Sequence, residues 1–137
     1  MRSLLVVLLV AACGGQPAKH EPTVPPPPPA SASDPTCPLE VAGTSVSVED
    51  TNDGGALVFV TTGDAAAVQT RADAFATAHG TTTTGFAGMV AASAKATAQH
   101  IDHGAKIVFA GGDAAAIQSE LRMHAGHLSA GSCAMAM

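Results

Sequence analysis

An α+β two-layer sandwich, with a four-stranded antiparallel sheet and two helices on one face, is the fold the sequence predicts for residues 37–137. Three observations predict it. The stretch "DGGALVFVTTGDAAAVQT" (53–70) aligns without gaps with "DHGAKIVFAGGDAAAIQS" (102–119), 49 residues further on, and nine of the eighteen positions are identical. Each copy passes from an apolar run through a Gly-Asp pair into an alanine-rich stretch, which is the order of strand, turn and helix. An alternating stretch precedes the first copy, so the unit reads ββα. Two such units most simply pair as one sheet with both helices on one side.

The elements follow in order. "TSVSVED" (44–50) alternates apolar and polar residues, as a half-buried strand does. "DGG" (53–55) supplies the turn, and "ALVFV" (56–60) is a short continuous apolar strand. Asp64 follows Gly63 and precedes three alanines. A carboxylate there accepts the free amide hydrogens of the first helical turn and complements the helix dipole, and Asp113 is placed to do the same. Capping accounts for both without making them paired catalytic carboxylates. The first helix should run from Ala65 to about His79, stopped by Gly80, with an apolar stripe of Val68, Ala72, Phe75 and Ala76. "GTTTTGFAGMVAAS" (80–93) reads as a polar, glycine-punctuated linker. The second helix begins at Ala114 with a stripe of Ile117, Leu121 and Leu128, and Gly126 weakens it before His127. Many core positions are alanine, so the buried area per residue is modest and a covalent staple would help.

The front of the chain carries a different signal. "MRSLLVVLLVAAC" has one basic residue, Arg2, and an apolar run from Leu4 to Ala12. Nine residues fall far short of the ~20 that cross a bilayer. The ending Val10-Ala11-Ala12-Cys13 resembles the lipobox of bacterial lipoproteins. The resemblance implies that residues 1–12 are a signal peptide and that Cys13 becomes the new amino end. Its thiol would carry a diacylglycerol and its amine a further acyl chain such as palmitate, enough chains for stable membrane anchoring. Gly14 stands where the inner-membrane class carries a retention aspartate, so the implied place is the outer membrane, facing the periplasm. Residues 13–36 form a stalk, whose five prolines at 25–29 favour a stiff polyproline II spacer over a ligand for a proline-reading domain.

Removing residues 1–12 takes Arg2 away and leaves five Lys/Arg against eleven Asp/Glu, a formal charge of −6. An acidic surface repels phosphate backbones and argues against nucleic-acid binding. With no Trp or Tyr and four Phe, platforms for stacking bases or sugars are scarce. No phosphate loop, nucleophile elbow or zincin helix is present, so the sequence does not read as an enzyme.

Cys37 and Cys133 remain once Cys13 is lipidated. In an oxidising compartment such a pair is most simply a disulfide. The rival reading makes Cys133 a thiolate beside Met135 and Met137, a set that favours Cu(I); otherwise the two methionines belong to a frayed terminus. On a helix turning by about 100° per residue, with Glu120 at the origin, His124 lies at about 40° and His127 at about −20°. A carboxylate and two imidazoles on one rim form a candidate Zn or Cu site that needs a fourth ligand. The alternative for His124 is an edge-of-core histidine in the place that Phe75 holds in the first unit. His79 either serves the exposed carbonyls at the end of its helix or completes the metal site. His100 and His103 read as solvated, and His20 belongs to the stalk.

The stretches "CPLEVAGTSVSVED", "ALVFVTTGD", "ATAHG" and "LRMHAGHLSAGSC" resemble the mature domains of an uncharacterised group of myxobacterial lipoproteins, over roughly half the mature chain. That resemblance implies metal handling at His79, Met123, His124 and Cys133. The chain departs from it at Glu120, where histidine is common, and at Phe75 and Ala78, where methionine is expected. Two functions follow as expectations: weak binding or buffering of a transition metal, Zn or Cu, or a membrane-tethered structural or interaction domain without a small ligand. No protein partner is specified by either.

Overall fold

The computed structural model describes residues 33–128 and 131–133; Cys13, His20, the proline run, Met135 and Met137 lie outside them. Strands β1 (Thr44–Thr51) and β2 (Gly54–Thr61) lead into helix α1 (Ala65–Ala78). A short helix α2 (Gly85–Met89) precedes β3 (Lys95–Ile101), β4 (Gly104–Ala110) and α3 (Ala114–His127). The four strands form one antiparallel sheet in the order β1-β2-β4-β3, and the helices pack against it, an α+β fold.

Alternation decides what the helices cover. Leu57 and Phe59 on β2 and Ala105, Ile107 and Phe109 on β4 are buried in one cluster with Val68, Ala72 and Phe75 of α1 and Ile117 and Leu121 of α3. Ser45, Ser47, Glu49, Thr97 and Gln99, on the opposite face, are exposed. Leu57 and Phe59 therefore take the inward places of Ile107 and Phe109, a spacing of 50. The helices keep the spacing of 49: Val68 and Ile117 are both buried, and Asp64 and Asp113 both cap. The gapless alignment had set Val58 against Ile107, but Val58 is half-buried on the outer face and Ile107 is inside. A slip of one residue turns every strand side chain over, so burial forces the offset. The extra residue lies between β2 and α1, where four residues separate Phe59 from Asp64 but three separate Phe109 from Asp113.

Each long helix packs across the sheet on the other half: α1 on β3 and β4, α3 on β2 and β1. Two glutamines seal this exchange. Gln69 Nε2 donates to the carbonyls of Ile101 and Gly104, on either side of the β3–β4 turn, at 3.3 and 3.2 Å. Gln118 Nε2 donates to Thr51 and Gly54, on either side of the β1–β2 turn, at 3.1 and 2.9 Å. The turn of that first hairpin is Asn52–Asp53, with Gly54 and Gly55 already in β2 rather than in the turn. At the β2–β4 seam the two backbones approach closely. A Cβ on Gly54 would stand 2.1 Å from the Phe109 oxygen, and one on Gly104 would stand 1.9 Å from the Phe59 oxygen. Only glycine fits there.

The helix starts match the sequence reading, as does the end of α1 at His79, and only the end of α3 departs from it. Asp64 accepts from the Ala67 amide, and Asp113 accepts from the amides of Ala115 and Ala116. Gly126 does not stop α3, which continues to His127, with Leu128 half-buried against the core. The stretch 80–93 is more than a polar linker: it carries α2 and buries Phe86, Ala87, Val90 and Ala91. Phe86 meets Phe75 edge-on at 5.1 Å, so hydrophobic burial overrides the glycines and threonines around it.

The folded part also begins earlier than Cys37. The Asp34 carboxylate accepts from the Phe86 amide at 3.0 Å and from the Thr36 amide and hydroxyl, and Ser33 donates to Glu40. Arg71 Nη1 donates to the Asp34 carbonyl at 2.6 Å and to Glu40 at 3.0 Å. Next to this clamp, Cys37 and Cys133 form a disulfide across a sequence separation of 96, with both cysteines buried.

Candidate functional site

The candidate ligands are set by the ends of α1 and α3. His79 is the C-cap residue of α1; Glu120 and His124 lie one turn apart on α3, and His127 ends it. Because Leu121 and Ile117 fix the inward face of α3, His124 is drawn inside and is 8% exposed. It takes the place that the fully buried Phe75 holds on α1, as the edge-of-core alternative expects. Its Nε2 stands 3.3 Å from Glu120 Oε1. His127 is exposed, as is Met123.

The four expected ligands do not form a metal-holding group. Among the described residues no set of three or more His, Cys, Asp or Glu side chains is arranged to hold an ion. The reason is visible in their partners. His79 directs both ring nitrogens at backbone carbonyls, Nδ1 at Ala87 (3.1 Å) and Nε2 at Ala94 (3.0 Å). Its ring stacks on Phe75 at 5.5 Å and meets Phe109 edge-on at 5.6 Å. Burial lowers its pKa below the ordinary 6.5. It does not serve the carbonyls at the end of its own helix, where the amides of Thr81 and Thr82 reach the Ala78 oxygen. Glu120 Oε1 accepts the Ala91 amide hydrogen at 2.9 Å. Cys133, the soft ligand of the rival reading, is bonded to Cys37.

The remaining charges serve the surface. Lys106 pairs with Glu49 at 2.8 Å, Arg122 with Asp50, and His100, which had read as solvated, with Asp73 at 2.9 Å in an exposed contact. His103 is an exposed hairpin residue with a φ of 63°. What two of the candidate residues, His79 and Glu120, do is bond backbone groups of residues 85–94. Sequence reasoning missed that segment and its third support, Asp34; the Asp-Pro-Thr turn signal just before Cys37 marks the latter.

No protein-family model matches the chain, and neither curated proteins nor solved structures give a significant match. Among the described residues no helix is long and apolar enough to cross a membrane.

Proposed function

We propose that the protein is an envelope lipoprotein, anchored through acylated Cys13 in the outer membrane and facing the periplasm, that acts as a tethered structural or interaction domain. It takes no small ligand and catalyses no reaction. One observation carries this reading over metal buffering: His79 and Glu120, two of the four candidate ligands, are spent on backbone groups of residues 85–94. The disulfide supports an oxidising compartment. The contact between Glu120 and His124 favours a second reading, a weak Zn or Cu site on the rim of α3.

Calorimetric titration of the mature chain in detergent with Zn(II) and Cu(II) separates the two. The expected result is no saturable heat at micromolar concentrations. A saturable site that weakens in His124→Ala, and weakens again at acid pH because protons compete for the imidazole lone pairs, would replace the structural reading by metal buffering. The anchor is tested in cells. Wild type should partition with membranes and Cys13→Ser should not, and a Cys13→Ser protein that keeps to the membrane with its signal peptide cleaved would overturn the tether.

A further inference from the structure

The two central strands, β2 with "GGALVFV" and β4 with "GAKIVFA", are nearly continuous apolar runs. A strand with one wet face alternates apolar and polar residues, whereas a continuous run belongs to a strand covered on both faces. The helices here cover one face only, over Leu57, Phe59, Ile107 and Phe109. The residues between these point the other way. They are Ala56, Val58 and Val60 on β2 and Val108 and Ala110 on β4, with Lys106 the one polar exception. Val60 is 44% exposed, and Val58 and Val108 are half-buried beside it. Small polar side chains of the edge strands frame this apolar centre, Ser45 and Ser47 on one side and Thr97 and Gln99 on the other. We propose that a second copy of this chain docks on the open face, the two sheets packing face to face. The proposal rests on the reading of the protein as a tethered interaction domain and names its partner.

Charge favours a second copy in this arrangement. The open face carries Glu49, Lys95 and Lys106, a net charge of +1, while the other described residues carry nine Asp or Glu against two Arg, a net charge of −7. Two copies meeting through their helices or sheet ends would bring acidic surfaces together. Meeting through the open faces keeps those surfaces on the outside. The face's own charges are already settled. Lys106 Nζ bonds Glu49 Oε1 at 2.8 Å, so covering this pair leaves neither ion alone. Lys95 is exposed at a corner of the sheet, where a partner leaves it in water. The chain also enters the fold on the far side, because Asp34 is bonded to Arg71 of α1 and Phe86 of α2 in the helical layer.

The size of the face sets the strength of the pairing. Four strands at about 4.8 Å spacing and about 3.3 Å per residue make a face of roughly 19 by 25 Å. Two such faces cover about 1,000 Å² before side-chain relief is counted, which only just reaches the size of a specific interface. A pair of this size is weak between free chains and gains from tethering, which raises the effective concentration.

Cysteine crosslinking of the whole chain in cells tests this. Val60→Cys lies on the open face and Thr77→Cys lies exposed on α1; Cys37 and Cys133, bonded to each other, do not compete. A short bismaleimide should join Val60→Cys into a homodimer at least about tenfold more than Thr77→Cys. Adding Thr97→Glu, an exposed change on the same face, should cut that homodimer about tenfold, because pairing would cover an unpaired carboxylate. Equal crosslinking at the two positions, or a homodimer that Thr97→Glu leaves unchanged, would overturn the pairing. An adduct of another size alone would assign the face to a different protein and overturn it too. Fractionation of the same cells reads the tether separately. Anchored chains without the homodimer defeat the pairing alone, and a homodimer of chains that fractionate as soluble supports the pairing and defeats the tether alone.

Discussion

Replacing Gln118 by alanine removes the two hydrogen bonds that tie α3 to the turn of the β1–β2 hairpin, to Thr51 at 3.1 Å and Gly54 at 2.9 Å. A neutral hydrogen bond contributes about 0.5–1.5 kcal/mol net. The two carbonyls flank a turn that water can reach, so little penalty for unpaired groups is added, and the loss should be about 1–2 kcal/mol. In a domain near 100 residues this lowers Tm by roughly 5–15 °C. Gln69→Ala removes the equivalent bonds to Ile101 and Gly104 and should cost the same. The two hairpins lie at opposite ends of β2, roughly 25 Å apart at about 3.3 Å per residue, so the double variant should lose the sum to within ~0.5 kcal/mol. Thr70→Ala is the control, because its hydroxyl bonds the Ala66 carbonyl within the same helix. Urea unfolding followed by far-UV circular dichroism measures all four proteins. Losses below ~0.5 kcal/mol in both single variants would refute the idea that these amides join the halves.

Gly104→Ala should destabilise by about 2–3 kcal/mol or more, because its new methyl meets the Phe59 carbonyl in the adjacent strand; wild-type stability in urea would contradict the packing of that seam. Gly126→Ala meets nothing within 4 Å and lies inside α3, so it should raise stability by up to ~0.5–1 kcal/mol; a lower Tm would show that the helix ends earlier. Breaking the Cys37–Cys133 bond should remove about 4–5 kcal/mol on the chain-entropy account of a loop this long. Thiol titration of protein unfolded without reductant should find neither cysteine free, and two titratable thiols would reject the staple.

Much of the fold could be read before the structure, because single residues carried local physics. Asp64 and Asp113 announce helix starts by capping, and alternation in 44–50 announces a half-buried strand. The paired cysteines needed only an oxidising compartment. The alignment erred because "GDAAA" outweighed the strands, and identity in alanine-rich sequence says little about which way a side chain points. Matching Phe59 to Phe109 would have exposed the extra loop residue. The stretch 80–93 misled for a related reason. Four threonines and three glycines mask Phe86 and Val90, although every phenylalanine in this aromatic-poor chain is buried. The partners of the candidate residues are something no helical angle reports. The angles placed Glu120, His124 and His127 on one flank, but which backbone groups would compete for their lone pairs depends on a segment distant in sequence.

The bond between Cys37 and Cys133 also has a mechanical meaning. Its Cα atoms are 5.7 Å apart, whereas the 96 residues of separation would extend to roughly 300 Å at about 3.3 Å per residue. Tension applied between the chain upstream of residue 37 and the chain downstream of residue 133 runs through the sulfur atoms and bypasses the sheet. The four strands and three helices form a side loop that carries none of that load. Pulling on both ends would therefore load the Asp34 contacts upstream of Cys37 first and leave the strands and long helices bracketed by the disulfide intact.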